Sequence, residues 1–401
     1  MKMARQHSSL GWIRFLVAAG TLLLATCSFA AEATKPVKVF IFAGQSNMEG
    51  ADAHPERIDD FPVFKGAGAP QTDVLYCYLA GQGQDAFKGW GPLQPLQSFG
   101  SELTFARRLK DQDDFPIAII KSAVGGTTVA YDWNPETPEQ GQKLYPRTLQ
   151  LIRESLRELD KRGLRYRLEG VMWHQGENDQ GSDGPTGGYG WETYQQLFVE
   201  MSAAWKQDFP NVQHTYVFQI WPNSCSMGGR DGSGDMLREK QRTLPELFSN
   251  MSIVSTLGVR PPGGCHFPLA GWAEFARLIQ PVIERDHYGK VPLASITPPN
   301  LRHASYAGGK KDTITLEFDQ PVVWADALAG QFYLDGEKDK VASGSVAGNV
   351  LTLKLKEASA ATKLTYLKEI AWNQDTLLNG ANGLAALTFC NVPVQPAKSA
   401  R

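Results

Sequence analysis

The 401-residue sequence has few cysteines, no excess of positive charge and no long apolar run beyond its first thirty residues. Its five cysteines form no Cys-x-x-Cys pair and no His-Glu-x-x-His segment is present, so we expect no metal site and no cofactor. With 40 basic and 42 acidic residues, it lacks the basic face that nucleic-acid binding usually requires. No later segment is apolar enough for a transmembrane helix, so we also expect no integral membrane contact.

The first thirty residues have a composition of their own. Three basic residues precede an apolar run at 15–25, and small residues occupy both cleavage-determining positions of 28–30. This pattern predicts a signal peptide over residues 1–30, and hence a secreted or periplasmic protein. An N-terminal anchor helix is the alternative, whereas Thr26 before Cys27 is atypical of a lipoprotein anchor.

From residue 37 the sequence alternates between apolar, β-branched runs and helical patterns. The runs typical of buried parallel strands lie at 37–42, 117–120, 168–173, 216–220 and 253–257. Helices are indicated between them, with apolar residues every three or four positions most clearly at 149–159 and 269–283, and more weakly at 102–110 and 192–209. Such alternation predicts a parallel sheet with helices on both faces.

The pattern changes near residue 296, where apolar and polar residues begin to alternate singly. Segments such as 314–318 and 351–355 have the period of half-buried strands, and Asp335-Gly336 is a turn signal. We therefore predict an α/β domain over 31–292 and a small all-β sandwich domain over 296–395.

Three polar clusters each follow a predicted strand directly, at the edge where open α/β sheets bind ligands. Residues 44–48 contain Ser46, which is either a nucleophile at a tight turn or a helix cap. The glycines of 125–127 either present backbone N–H groups to a developing negative charge or form a plain turn. The titratable run at 173–179 favours a functional role over a polar loop.

His266 stands just before the last predicted helix of the α/β domain. A histidine there can act as general base toward a serine hydroxyl, although a capping or core histidine is the alternative. His54 and His174 are weaker competitors. Cys225 and Cys265 fall in loops at predicted strand ends, and we predict that they form a disulfide that fixes the His266 loop.

Four features of this sequence, in this order, resemble those of the SGNH hydrolases. They are the Gly-Gln-Ser-Asn-Met segment at 44–48, the Gly-Gly-Thr segment at 125–127, the Trp-His-Gln-Gly-Glu segment from Trp173 and the late histidine. They are most similar to the branch of sialate O-acetylesterases and acetylxylan esterases. The resemblance covers roughly residues 37–286. It implies a flavodoxin-like three-layer α/β fold with a parallel sheet, and a serine esterase acting on an acetylated carbohydrate, either a polysaccharide or a sialic acid. A catalytically weak carbohydrate-binding homologue and an SGNH lipase or thioesterase are the alternatives.

Position by position, the resemblance makes Ser46 the nucleophile and His266 the base. It implies an oxyanion hole formed by the backbone N–H groups of Ser46 and Gly125 and by the side-chain amide of Gln175. The mechanism implied is acyl transfer through a seryl ester.

One position departs from the family pattern. The family has an aspartate three residues before the histidine, and this sequence has Gly263 there. We expect Glu177 to orient His266 instead, with Asp179 or a backbone carbonyl of 261–263 as alternatives; a brace for its own loop is the competing role for Glu177.

Five further residues are weaker candidates for substrate binding. Gln45 and Asn47 flank the proposed nucleophile, while Tyr131, Trp133 and Trp221 lie near predicted strand ends, where aromatic rings can stack on a sugar. Aromatic residues so placed also serve as packing. Because every candidate catalytic residue precedes residue 296, we expect a chain lacking the β domain to retain activity on small esters.

Overall fold

The computed structural model describes residues 35–80, 89–112, 114–137, 139–181, 190–222, 224–226, 232–260 and 264–397. The predicted signal peptide lies outside these residues. The described residues from 35 onward belong to one compact unit. Within the described part of the chain, no helix combines the length and the apolar character needed to cross a bilayer.

A seven-stranded sheet forms the centre of this unit. Its strands are β1 (Val37–Gly44), β2 (Gln71–Ala80), β3 (Gly91–Leu93), β4 (Ile117–Ala123), β5 (Tyr166–His174), β6 (His214–Gln219) and β7 (Met251–Ser255). They are ordered β3-β2-β4-β1-β5-β6-β7, and all neighbours are parallel except β3 and β2. The segment β4-β1-β5-β6-β7 has the strand order of flavodoxin-like folds, in which ligands bind where the order reverses beside the first strand.

Helices cover both faces of the sheet. They are α1 (Ser46–Glu49), α2 (Glu102–Lys110), α3 (Leu144–Lys161), α4 (Trp191–Asp208), α5 (Ser233–Leu247) and α6 (Leu269–Tyr288). One hydrophobic core joins α3, α4 and α5 to the sheet, and a second joins α2 and α6 to the opposite face. The predicted parallel sheet with helices on both faces is therefore confirmed in part, since the edge strand β3 is antiparallel to β2.

The five predicted strands and four predicted helices are present, but β2, β3 and α5 were not predicted. Helix α5 lacks a clear apolar stripe, because its buried face includes Arg238, Gln241 and Arg242 alongside Leu237 and Leu244. Each of these three side chains bonds at least one residue distant in sequence, namely Glu369, Gln175 and Leu301, and local periodicity does not show such contacts.

The C-terminal part consists of short antiparallel sheets around a third core. Its strands are β8 (Leu301–Tyr306), β9 (Thr313–Phe318), β10 (Val322–Val323), β11 (Phe332–Leu334), β12 (Val341–Ala347), β13 (Val350–Leu355), β14 (Lys363–Tyr366), β15 (Asn379–Gly380) and β16 (Phe389–Pro393). The sheets are ordered β12-β13-β9-β8, β11-β14-β16 and β10-β15. Gln219 at the end of β6 exchanges two hydrogen bonds with the backbone of Thr388, so the β region is fastened to the central sheet.

Candidate active site

Ser46 begins α1 immediately after β1 ends. At Gly44 the backbone has a φ of 151°, and a Cβ atom there would overlap the backbone oxygen of His174 on β5. Only glycine allows this close approach, which lets the Gln45 N–H donate to the same oxygen at 3.0 Å. Ser46 is 5% exposed, and its hydroxyl makes no hydrogen bond to any residue that the structure describes.

Gln45 fastens the loop after β5 to the Ser46 turn. Its Nε2 donates to Asn178 Oδ1 at 2.9 Å, and its Oε1 accepts from Gln175 Nε2 at 3.2 Å and from the Gly176 N–H at 3.3 Å. The side chain is fully buried. Gln45 therefore acts as a structural clamp and is not placed to touch a sugar, contrary to the expectation from the sequence.

The side-chain amide of Gln175 is directed into its own loop. Besides its bond to Gln45, Gln175 Nε2 lies within hydrogen-bond distance of two further acceptors, Thr127 O at 3.0 Å and Asp179 Oδ2 at 2.5 Å. Asp179 also accepts from the Val129 N–H at 3.1 Å, and burial raises the pKa of Asp179 to about 7. An NH₂ group has two protons, and these three acceptors account for both. The expected role of Gln175 in the oxyanion hole is thus not supported by its contacts.

Asn178 has the other side-chain amide of the same loop that could donate to an oxyanion. It is half-buried, and its Oδ1 is held by Gln45, which fixes the orientation of the amide. No described residue accepts a hydrogen bond from its Nδ2. Sequence reasoning noted the polar run but assigned the donor role to Gln175; the only signal for Asn178 was its membership of that run.

Gly125 lies against the Ser46 turn. A Cβ atom at Gly125 would be 3.3 Å from the Ser46 Cβ, and the Gly125 N–H donates to Glu49 Oε2 at 2.9 Å. Burial raises the pKa of Glu49, opposed by this hydrogen bond and by the charges of Lys121 and His266. The Gly125 N–H, which is the backbone donor predicted for the oxyanion hole, is therefore hydrogen-bonded to the Glu49 carboxylate in this structure.

His266 is held by Asp52, a residue that the sequence did not indicate. Its Nδ1 lies 2.6 Å from Asp52 Oδ2 across a separation of 214 residues. The Asp52 side chain is 75% exposed, and its backbone has a φ of 64°, which aspartate tolerates better than most residues. Since Nδ1 faces the carboxylate, Nε2 is the ring nitrogen left for the expected role of base; it lies 3.5 Å from Cys265 Sγ.

Asn47 ties the His266 loop to the Ser46 turn. Its Nδ2 donates to the Cys265 carbonyl at 3.3 Å, and its Oδ1 accepts from the Phe267 N–H at 3.4 Å. These two bonds bracket His266 on both sides. Asn47 is buried and so, like Gln45, positions the site and is not exposed to bind substrate.

Glu177 contacts this arrangement through Asn47 and not through His266. Its Oε1 accepts from Asn47 Nδ2 at 2.6 Å, and burial raises the pKa of Glu177. The structure therefore does not show the expected Glu177–His266 pair. The competing role of bracing the loop accounts for the contacts of Glu177, and the imidazole of His266 contacts Asp52 instead. Residues 261–263, including Gly263, lie outside the described residues.

The predicted disulfide between Cys225 and Cys265 is confirmed. It joins the loop after β6 to the residue that precedes His266. Of the remaining described cysteines, Cys77 and Cys390 are buried thiols, and burial raises their pKa to about 12 and about 11.

The aromatic candidates and the competing histidines are mostly packing residues. Trp133 and Trp221 are buried, with indole N–H groups bonded to Thr127 and Thr256 and rings packed on other aromatic side chains. Only Tyr131 is half-exposed. His174 lies among Phe218, Phe267 and Phe275, and burial lowers its pKa to about 3, so it stays neutral. His54 is exposed, 3.4 Å from Glu56.

Comparison with known proteins decides the family. Residues 36–278 match the family described as SASA, carbohydrate esterase, sialic acid-specific acetylesterase. The chain belongs to this family. It is a carbohydrate O-acetylesterase, and its substrate is an acetylated carbohydrate.

Solved structures similar to this esterase include the carbohydrate acetylesterase XAC1771 of Xanthomonas citri, at 18% identity and a TM-score of 0.66 over 88% of this chain and 80% of that one. A protein of Arabidopsis thaliana matches at 19% identity and a TM-score of 0.47 over 63% of this chain and 99% of its own. NanS matches at 16% identity and a TM-score of 0.47, over 64% of this chain and 99% of its own. At 18% identity the likeness to XAC1771 concerns the fold alone. No curated protein matches the sequence.

The C-terminal part of the esterase supports the chain that leads to His266. The Gln374 amide donates to Leu257 O at 2.8 Å and to Val259 O at 2.6 Å, and Arg260 bonds Gln374 O and the Asp375 carboxylate, each at 2.9 Å. A chain lacking the β region would lose these contacts, so they argue against the expectation that it retains activity on small esters.

Proposed function

We propose that this esterase is an exported serine enzyme that removes O-acetyl groups from carbohydrates through a seryl-ester intermediate. Ser46 is the nucleophile, His266 the general base and Asp52 the group that orients the base. The observation that carries the proposal is the Nδ1–Oδ2 distance of 2.6 Å between His266 and Asp52, on a loop that Asn47 fastens to the Ser46 turn. A histidine so oriented presents Nε2 in the tautomer that accepts a proton.

In the proposed reaction, Ser46 Oγ attacks the acetyl carbonyl carbon while its proton passes to His266 Nε2. The bond between the carbonyl carbon and the sugar oxygen then breaks, and the imidazolium returns the proton to that oxygen. Water then attacks the carbonyl carbon of the seryl ester while His266 takes a proton from it. The bond between that carbon and Ser46 Oγ breaks, the imidazolium returns the proton to Oγ, and acetic acid leaves and ionises to acetate. Asp52 stabilises the imidazolium in both halves of the reaction.

The oxyanion that forms twice in this sequence needs donors beside Ser46. We assign this role to the backbone N–H groups of Ser46 and Gly125 and to Nδ2 of Asn178. Because the Gly125 N–H donates to Glu49 in the free protein, the substrate carbonyl must replace that carboxylate when it binds.

Release of acetate from acetylated xylo-oligosaccharides and from O-acetylated sialic acid tests the proposal. Ser46→Ala should reduce turnover by about six orders of magnitude, the loss typical of a removed serine nucleophile. Ser345→Ala, at an exposed serine of β12, is the matched control and should keep full activity. A folded Ser46→Ala protein that retains a tenth of the normal rate would exclude Ser46 as the nucleophile.

A further inference from the structure

Three side chains that can bind a metal ion meet on the loops beside the proposed base. The ligating atoms of Cys225, Cys265 and His266 all lie within 4.8 Å of one another. The sequence did not indicate this group, because the two cysteines are 40 residues apart. In the structure their sulfur atoms form a disulfide, so neither is a ligand in the oxidised protein. Reduction converts both into thiols, which bind metal ions as thiolates.

The imidazole of His266 is oriented as a metal ligand would be. Its Nδ1 lies 2.6 Å from Asp52 Oδ2, and its Nε2 lies 3.5 Å from Cys265 Sγ. Zinc bonds of about 2.1 Å to nitrogen and about 2.3 Å to sulfur place two tetrahedral ligands about 3.6 Å apart. A carboxylate bonded to the other ring nitrogen is the usual outer partner of a zinc-bound histidine. His266 and Cys265 therefore already have the spacing of two zinc ligands.

Other hydrogen bonds hold the two cysteine loops together independently of the disulfide. The Cys265 carbonyl accepts from Asn47 Nδ2 at 3.3 Å and from Ser224 Oγ at 3.2 Å. Ser224 directly precedes Cys225, and its own carbonyl accepts from Gln180 Nε2 at 3.2 Å. After reduction, the two sulfur atoms need only move to about 3.8 Å from each other, the separation of two thiolates on tetrahedral zinc. Side-chain rotation can supply that movement while the backbone stays in place.

We propose that the reduced protein binds one Zn²⁺ through Cys225, Cys265 and His266, and that this ion inhibits the esterase. Two thiolates and an imidazole form a soft ligand set that suits zinc, and water can complete the tetrahedron. A dithiol reductant cleaves the disulfide by exchange: the dithiol is oxidised to its own disulfide, and both cysteines become thiols. Zinc then displaces their two protons.

The zinc site goes beyond the proposed function, whereas the inhibition depends on it. Zinc bonded to His266 Nε2 occupies the lone pair that would take the proton of Ser46. The ion therefore blocks both halves of the proposed reaction without covering the nucleophile. In the oxidised protein the disulfide withholds both sulfur ligands, so the same amount of zinc should leave the activity unchanged.

The experiment titrates zinc chloride into oxidised enzyme and into enzyme reduced with a water-soluble phosphine, which does not compete for zinc as dithiols do. Equilibrium dialysis measures bound zinc, and acetate release from acetylated xylo-oligosaccharides measures activity. The reduced enzyme should bind one ion at least about a hundredfold more tightly than the oxidised enzyme. Its turnover should then fall at least tenfold and recover when EDTA is added.

Variants and cobalt identify the ligands. Co²⁺ bound to the reduced enzyme should show the charge-transfer absorption of thiolate ligands. Reduced Cys225→Ser and reduced His266→Ala should each bind zinc at least tenfold more weakly than reduced wild-type enzyme. Cys390→Ser is the matched control, because it removes a buried thiol outside the cluster, and it should bind zinc as the wild-type enzyme does.

Equal zinc affinity of the oxidised and reduced enzyme would overturn the inference, as would unchanged affinity in reduced Cys225→Ser or His266→Ala. These binding measurements do not involve the ester substrate, so they test the site separately from the proposed function. If His266→Ala weakens zinc binding while zinc leaves the reduced wild-type enzyme active, the metal site is upheld. The role of His266 as the base, and the inhibition that depends on it, would then be wrong.

Discussion

The loop after β5 and the loop that carries His266 meet at one edge of the sheet but are held there differently. The first is held through buried side chains: Gln45, Gln175, Glu177 and Asp179 are almost fully buried, and each bonds another buried side chain or a neighbouring backbone group. The second lies at the surface, where an exposed Asp52 contacts a half-buried His266.

This difference assigns different physical roles to the two sides. Oxyanion donors work best when they are fixed before the charge develops, and a buried hydrogen-bond network provides that rigidity. The base side depends instead on supports from separate parts of the chain: Asn47, the Cys225–Cys265 disulfide and the C-terminal segment around Gln374. Each support can be removed singly.

Apart from the loss of Ser46, the largest effect should follow from loss of the buried link between α5 and the C-terminal part. Arg238 is fully buried between Asp235 and Glu369, with Glu369 Oε2 at 3.3 Å. Glu369→Ala should lower the free energy of unfolding by about 3–5 kcal/mol, because it leaves a buried charge with one partner fewer. Urea unfolding measures this change, and Glu357→Ala at an exposed site is the control. A loss under about 1 kcal/mol would show that the β region does not depend on this contact.

Removing the proposed oxyanion donor Asn178 tests the role assigned to the buried loop after β5. Asn178→Ala is expected to lower kcat by about a hundred- to a thousandfold with little change in KM, as for other single oxyanion donors. Steady-state kinetics of acetate release provide the measurement, with Asn211→Ala at an exposed turn as the control. If a folded Gln175→Ala enzyme shows this loss and Asn178→Ala does not, the role returns to Gln175.

A smaller effect than that of Asn178→Ala is expected at Asp52. A buried triad aspartate is worth about four orders of magnitude in kcat, but Asp52 is 75% exposed, and water screens its charge. Asp52→Asn should therefore lower kcat by about a hundredfold, with Asp59→Asn as an exposed control.

Glu177→Gln provides the matching comparison for Asp52, since glutamine can still accept the bond from Asn47. We expect it to reduce kcat less than tenfold. A larger loss in Glu177→Gln than in Asp52→Asn would reverse the assignment and restore Glu177 as the residue that orients His266.

The features that were predicted correctly depend on residues close together in the sequence. Each polar cluster follows a strand directly, so the identification of β1, β4 and β5 also placed Ser46, Gly125 and the loop after β5 at one edge. The cysteine pair was predictable for the same reason, because both residues occupy loops at that edge.

The details missed by the sequence depend on contacts between distant positions. Asp52 reaches His266 across 214 residues and occurs in an exposed turn with no motif of its own. Gln175 and Asn178 are three residues apart, and only the hydrogen bonds of Gln45 decide which amide is left to donate. Trp133 and Trp221 are likewise buried by residues remote in sequence.

The contacts of Gln374 with Leu257 and Val259 have a consequence for the timing of activity. Ser46 and its turn can form early in synthesis, but the segment that supports the His266 loop is made roughly a hundred residues after His266 itself. At ordinary rates of translation that interval is about 5–20 s. A nascent chain would therefore carry its nucleophile well before its base is fixed, so hydrolytic competence should arise only as the last strands dock.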